Sequence, residues 1–320
     1  MMSVMRNVVI IGAGLSGLSA AYELSKLGQQ FTMIEVKPTL GGSIKTVNHN
    51  GFIFDQTQML HTINNQALFD DYLMEFNLLQ DVHYHDDQRL SFDGGTDSLI
   101  REFSRTFEAP IMQRMAVSTI GQIDQDKFGI CLENGMLLDA KSVIVATPAR
   151  YAERIFHTLN PQISYQLLDY RYDTITRVSF GYENPPEDMS FDVPEDSPIV
   201  AIDVIKGGVR IPSEQGIIVQ VALRMAQHDL PQDPVGEIAA LMGWELNPQA
   251  DYIATWEESD PSQWRLDEHI PKLEAIQQLL PRGVAIANSD FVATRSAPTL
   301  DDRLLQGVKA VEKIMSDFAL

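Results

Sequence analysis

The sequence predicts an α/β protein in which a three-layer domain, built on a mostly parallel sheet and carrying a β-meander, is joined to a smaller α+β domain. Three observations carry this expectation. A strand, a helix and a second strand follow one another within roughly 30 residues near the N-terminus. Short strands separated by turn residues fill Ala116 to Val145. Residues 282–320 then return to an apolar strand and a helix.

Asn7-Val-Val-Ile-Ile11 is a β-branched run suited to a central strand buried on both faces. Leu15, Leu18, Ala21, Tyr22 and Leu24 recur at helical spacing, Gly28 ends that helix, and Phe31 to Glu35 reads as the second strand. Helical periodicity reappears over residues 66–79 through Leu68, Tyr72, Leu73 and Phe76, and again from Ser98 to Phe107 after the turn Asp93-Gly94-Gly95. In the meander, Asp124-Gln-Asp126 and Glu133-Asn-Gly135 mark hairpins before the apolar run Ser142 to Ala146, which Pro148 closes. Residues 151–281 differ in character: they hold most of the prolines, strands near 174–182, 198–205 and 216–223, and a helix near 234–242. A strand at Val284 to Ala287 and a helix from Asp301 to Met315 close the chain.

The chain has 320 residues, enough for two domains with a substantial core. Its 44 acidic and 24 basic residues give a net charge of -20, which repels nucleic-acid phosphates and anionic membranes, so neither is an expected partner. No apolar run approaches the roughly 20 residues of a bilayer span. Cys131 is the only cysteine, which excludes an internal disulfide or thiolate metal cluster and fits a reducing cytoplasm. His83 and His85 lack a second set of ligands at metal-binding spacing, so no metal site is expected.

The chemistry begins at Gly12-Ala-Gly14-Leu-Ser-Gly17, a G-x-G-x-x-G element between the first strand and the first helix. Gly12 permits the tight turn, Gly14 a close backbone approach to a pyrophosphate, and Gly17 close helix packing. The helix start at Leu15 and Ser16 offers amide donors and partial positive charge to phosphates. Glu35, 18 residues beyond Gly17, ends the second strand where a carboxylate accepts hydrogen bonds from a ribose diol. This Rossmann-like element serves FAD and NAD alike.

Beyond Glu35 the chain resembles the flavin amine oxidase and protoporphyrinogen oxidase family, especially its compact, renalase-like members. Pro38-Thr-Leu-Gly-Gly-Ser-Ile-Lys-Thr46 resembles the family's Gly-Gly turn, Gly51-Phe-Ile-Phe-Asp55 its G-(F/Y)-x-x-D segment, and Val143 to Pro148 its V-V-V-A-T-P strand. Ile286 to Asp290 resembles the strand ending in Gly-Asp, and residues 298–310 the final helix. The resemblance implies noncovalent FAD held by Gly12, Gly14, Leu15, Ser16, Gly17, Glu35, Val36, Lys37, Gly41, Gly42, Ser43, Lys45, Val117, Ala146, Thr147 and Asp290. Thr299 and Leu300 would lie at the flavin O2 and N1 side. Ser43 stands where an arginine is common, with Lys45 as its replacement; Gln56 and Ser289 replace glycines.

The implied organisation is a discontinuous FAD-binding domain (1–60, 91–150, 282–320) and a substrate domain (61–90, 151–281). The implied activity is an FAD-dependent oxidoreductase that passes a hydride from a small organic substrate, an amine or a reduced ring, to flavin N5, with oxygen or another electron acceptor. A flavin-binding partner subunit without catalysis and an NAD-dependent dehydrogenase are the alternatives. The short connection between Asp55 and Gly94 predicts a small, open site. His61, as a proton shuttle, and Trp256 and Trp264, as aromatics at the reactive face, are the candidates for substrate-side roles.

Overall fold

Val8 and Ile10 are buried in one apolar core and Val9 and Ile11 in another, so a single β-branched strand holds two layers together. The computed structural model describes residues 5–85, 89–187, 189–244, 248–261 and 266–318. The chain begins β1 (Met5–Ile11), α1 (Leu15–Lys26), β2 (Phe31–Glu35), β3 (Thr46–His49), β4 (Phe52–Asp55), β5 (His61–Thr62), α2 (Gln66–Glu75), β6 (Val82–Tyr84) and β7 (Arg89–Phe92). It continues α3 (Asp97–Arg105), β8 (Ile111–Gln113), β9 (Val117–Asp124), β10 (Lys127–Leu132), β11 (Leu137–Val145), α4 (Ala149–Phe156) and α5 (Pro161–Leu167). The rest is β12 (Tyr172–Tyr182), β13 (Ile199–Lys206), β14 (Ile217–Arg224), α6 (Pro234–Met242), β15 (Ala250–Pro261), α7 (His269–Leu279), β16 (Val284–Ile286) and α8 (Leu300–Phe318).

The main sheet has the order β8-β2-β1-β11, with both β10 and β16 on the far side of β11 and β9 beyond β10. β11 carries both partners on one edge: Leu137 to Ala140 pair antiparallel with β10, and Val143 to Val145 pair parallel with β16. The meander and the C-terminal return therefore meet on one strand. On one face α1, α2, α3 and α8 bury Leu18, Leu73, Phe103 and Leu304; on the other, α4, α5 and α7 pack with β9 and β10. α8 closes on α1 through Gly307, where a Cβ would stand 2.5 Å from the Ser16 carbonyl oxygen, and Ser19 Oγ donates to the Leu304 carbonyl at 2.8 Å.

The second sheet is antiparallel, in the order β13-β14-β12-β15. One face buries Val178, Phe180, Val219, Val221 and Leu223 against α6 and Trp244. The alternate residues look back toward the first sheet.

Residues 61–90 contribute α2 to the core beneath α1, with Phe69, Tyr72, Leu73 and Phe76 packed against Tyr22 and Phe103. The hairpin of β3 and β4 turns on Asn50 and Gly51, both at positive φ (52° and 83°), as a two-residue primed turn demands. The periodicity reading passed over this hairpin because Thr46 to His49 is polar and half exposed. Among the described residues, no helix is long and apolar enough to cross a membrane.

Candidate functional site

The carboxyl ends of β1, β2, β11 and β16 open onto a cavity of about 890 Å³, the edge at which parallel α/β sheets bind ligands. At its inner end, Gly12 takes φ 105°, and a Cβ there would stand 2.6 Å from the Ala146 carbonyl oxygen. A Cβ on Gly17 would stand 2.1 Å from the Gly12 carbonyl oxygen, so α1 starts as close to the strand as backbone permits. Gly14 caps α1 with no side chain, and no acidic residue stands in the first turn. The exposed helix start is thus left for an anion.

Glu35, only 5% exposed, fixes the next point of the cradle. One carboxylate oxygen accepts the Ala13 amide at 2.7 Å and the other the Lys37 amide at 2.8 Å, leaving further lone pairs for a diol. The Gly41 amide donates to the Ala13 carbonyl at 2.7 Å, which folds the Gly-Gly turn against the glycine loop. Lys37 Nζ reaches toward the Gly42 carbonyl at 3.5 Å and sits 3.7 Å from the centroid of Trp256 on β15. Burial lowers the Lys37 pKa, opposed chiefly by the charge of Glu35.

Farther along, Asp290 is buried beyond β16. Its Oδ2 accepts the Ala149 amide at 2.8 Å and the Tyr172 hydroxyl at 2.5 Å. Burial pushes its carboxyl up to about 6 despite those two bonds. Arg303, from the first turn of α8, also lines the cavity. Burial lowers its pKa, opposed by the charges of Asp290 and Asp302. Arg303 Nε and Thr147 Oγ1 are buried and find no partner among the described residues, so two polar groups border the space with bonding capacity to spare.

The second sheet covers the outer end with Ile175, Arg177, Ala201, Ala222, Arg224 and Trp256. A buried ion pair joins this sheet's domain to the first. Asp55 and Arg210 are 0% and 2% exposed, with Arg210 Nη2 2.7 Å from Asp55 Oδ2. Thr46 and Thr96 complete the carboxylate, and Arg210 Nε donates to the Phe92 carbonyl at 2.6 Å. At the rim, Arg150 meets Glu257 at 3.4 Å and Glu258 at 3.1 Å, and Tyr151 donates to Glu258 at 2.8 Å.

Of the residues singled out in the sequence, Gly12, Gly14, Leu15, Ser16, Glu35, Val36, Lys37, Gly41, Gly42, Ser43, Val117, Ala146, Thr147, Asp290 and Trp256 line this one cavity. Gly17 acts from behind the wall. Lys45 is exposed and outside the lining, and the cation beside the Gly-Gly turn is Lys37. Thr299 and Leu300 also stand outside it. The Thr299 hydroxyl is shared by Asp301 and Asp302 of the first helical turn, while Ala297, Pro298 and Arg303 form the wall.

His61 is 2% exposed and lies outside the lining, bonded through Nε2 to Thr96 Oγ1 at 2.9 Å. Burial pushes its pKa down to about 3, so it is neutral at physiological pH. Trp264 lies outside the described residues. Sequence reasoning passed over Arg177, Tyr172 and Arg303. The available signal for the first was an arginine in the middle of a strand that alternates hydroxyl and apolar residues, Thr-Ile-Thr-Arg-Val-Ser-Phe.

The chain matches the model of an NAD(P)-binding Rossmann-like domain over residues 10–75 and that of the flavin containing amine oxidoreductases over residues 69–206. Among curated relatives, a 1-hydroxycarotenoid 3,4-desaturase from Flavobacterium sp. (strain P99-3) is 27% identical over 173 residues, 51% of this chain and 32% of that protein. An L-amino acid oxidase from Lachesis muta is 26% identical over 129 residues, 39% of this chain and 25% of the relative. The matched segments thus span a third or less of these relatives' length.

Among solved structures, a putative protoporphyrinogen oxidase from Exiguobacterium sp. 255-15 superposes with a TM-score of 0.80 at 13% identity, covering 98% of this chain and 99% of the other. Putrescine oxidase bound to putrescine superposes with a TM-score of 0.75 at 13% identity, covering 98% and 100%. Fold and cavity define a dinucleotide-binding α/β protein whose second domain closes over the outer end of the site. The chain shares the fold of those oxidases and, over residues 69–206, is similar to the flavin containing amine oxidoreductases.

The similarity to flavin-containing oxidoreductases points to FAD, and the residues present fit it. The uncapped start of α1 suits a pyrophosphate, Glu35 a ribose, and the cavity runs on past Asp290 and Arg303 with room for a ring system beneath the second sheet.

Proposed function

We propose that the chain is an FAD-dependent oxidoreductase acting on a small organic substrate, an amine or a reduced ring, with oxygen or another small acceptor taking the electrons onward. The observation that carries this reading is the continuity of one cavity from the glycine loop and Glu35 to the cavity-facing side of the second sheet. A nucleotide site alone would need only the inner half. FAD supplies the redox chemistry when bound, accepting a hydride at its N5.

The protein's own tasks are then orientation and exclusion of water. Gly12, Gly14 and the start of α1 hold the phosphates, Glu35 the ribose, and Asp290 and Arg303 border the middle of the cavity. Ile175, Ala201, Ala222 and Trp256 present an apolar cover from which water is displaced when a substrate enters. His61 is buried and neutral, outside the lining, so it serves as a structural partner of Thr96 in this reading.

The test is a visible spectrum of the purified protein followed by anaerobic mixing with a panel of amines, NADH and NADPH. A flavin band near about 450 nm that bleaches rapidly with one donor is the expected result. Absence of the band, with no uptake of added FAD, overturns the reading. A stable flavin that no donor bleaches favours a flavin-binding partner subunit instead.

A further inference from the structure

In the main sheet the order β2-β1-β11 sets the end of β1, with Gly12 and Gly14 just beyond it, between the ends of β2 and β11. Two strand spacings, about 10 Å, separate the flanking ends. Residues from both flanks touch one stretch of β15, Trp256-Glu257-Glu258. On the β2 side, Lys37 Nζ lies 3.7 Å from the centre of the Trp256 ring. On the β11 side, Arg150 Nη1 meets Glu258 at 3.1 Å, and the Tyr151 hydroxyl donates to the same carboxylate at 2.8 Å. All of these residues line the cavity. The stretch therefore crosses above the glycine loop and the start of α1.

The groups beneath Trp256 follow in a fixed order. The Lys37 amine reaches toward the Gly42 carbonyl at 3.5 Å, and a Cβ on Gly42 would stand 3.2 Å from Gly14 Cα. Trp256, Lys37, Gly42 and Gly14 thus form one stack that ends at the uncapped start of α1. On the other flank the Glu258 side chain is 9% exposed, whereas that of Glu257 is 69% exposed, so Glu258 is the carboxylate that holds the crossing. The ladder between β15 and β12 is irregular at this place: Trp256 stands opposite Ile175 and Asp260 opposite Asp173, which leaves residues 257–259 facing Thr174 alone. Extra residues in such a bulge are left out of the ladder. The stretch is therefore tied less to its own sheet than to the two sides of the cavity.

We propose that residues 256–258 are a strap over the dinucleotide, and that FAD enters and leaves only when Trp256 lifts from Lys37 and Glu258 from Arg150 and Tyr151. The inference rests on the flavin reading and adds to it how the same site controls its cofactor. A pyrophosphate at the start of α1 lies beneath the stack, so the strap stands in its way out. The bulge allows the strap to lift while Ala250 to Trp256 stay paired with β12. Opening breaks a cation–π contact and a partly buried ion pair, and this one step limits exchange in both directions.

The test measures FAD exchange both ways: uptake by FAD-free protein, followed by flavin fluorescence, and release from FAD-loaded protein diluted into an excess of a competing FAD-binding apoprotein. Trp256→Leu removes the ring from Lys37 and is expected to speed uptake and release alike by about tenfold. Glu258→Gln removes the ion pair and is expected to speed both by about threefold. The equilibrium affinity then changes less than either rate. Trp256→Phe keeps an aromatic face over Lys37 and is expected to retain slow exchange. Faster release with unchanged uptake makes these side chains ordinary contacts of the cofactor and overturns the inference. Slower release from Glu258→Gln, the mark of a relieved repulsion, overturns it as well. If Trp256→Leu yields no folded protein, Glu258→Gln decides alone. A wild-type chain that takes up no FAD overturns the flavin reading, and this inference with it; a flavin-loaded chain whose exchange is indifferent to both substitutions overturns this inference alone.

Discussion

The two ends of the cavity are built on different physics. The inner end is a backbone device: Gly12, Gly14 and Gly17 lie within six residues, and what they supply is the absence of side chains where two backbones and a helix start must converge. The outer end is a side-chain device, assembled from four strands spread over residues 172–261 and tied to the first domain by a buried ion pair. Local geometry suffices for the one. The other exists only if the second sheet is held in register over the first domain, by Arg210 on Asp55 and by the apolar cluster that packs Phe52 and Phe54 against Ile205 and Ile218.

Breaking the ion pair is expected to have the largest effect. Arg210→Met leaves Asp55 buried without its counter-charge and is expected to cost about 3–5 kcal/mol of stability, read from the urea unfolding midpoint. If the midpoint does not move, the domains are held by apolar contact alone. The inner end breaks next. Gly17→Ala drives a Cβ into the Gly12 carbonyl, with an expected loss of roughly 1–3 kcal/mol and of flavin uptake per mole of folded protein. Retained flavin in a stable Gly17→Ala protein contradicts so close an approach of α1 to the glycine turn.

Asp290 sits on the seam between the ends and sharpens the comparison by pH. Its carboxyl is raised from 3.8 to about 6 by burial, so the neutral form is the one folding favours. Its contribution to stability is therefore full below about pH 4 and is lost as pH rises toward about 6. In FAD-free protein, Asp290→Asn removes this dependence while its side-chain oxygen still accepts from Ala149 and Tyr172. The variant is expected to gain on the wild type by on the order of 2 kcal/mol between pH 4 and 7. A difference that stays flat over this range, in paired thermal melts, rules out a raised Asp290 carboxyl.

The smallest effect is expected at Glu35. Glu35→Gln keeps an acceptor for only one of the amides of Ala13 and Lys37, sets its NH2 against the other and loses the charge, so FAD affinity is expected to fall about tenfold and stability by about 1 kcal/mol. Fluorescence quenching on titration with FAD measures it. An unchanged affinity assigns Glu35 to loop architecture alone.

The same contrast separates what is legible in the sequence from what is not. The βαβ unit, the meander and the terminal helix follow from periodicity and turn residues, which are properties of neighbouring positions. The glycine loop and Glu35 are legible because a phosphate cradle constrains residue types at short fixed spacings. Lys37 and Lys45 both stand beside the Gly-Gly turn in the sequence, and only the fold separates them, turning Lys37 over Gly42 and Trp256 and leaving Lys45 exposed. His61 carries a chemical argument from its titration range. Complete burial against Thr96 and Phe92 cancels that range, and no local pattern announces burial of this kind.

By itself the sequence determined the α/β class, the nucleotide-binding loop and the family resemblance, because each depends on residues a few positions apart or on the freedom of glycine. Tertiary structure decided the rest. It paired Asp55 with Arg210 across 155 positions, set Arg177 among alanines from three other strands, and brought Asp290 beneath Tyr172. Such contacts depend on strand order and register, and these are fixed by how whole faces bury rather than by any one stretch of chain.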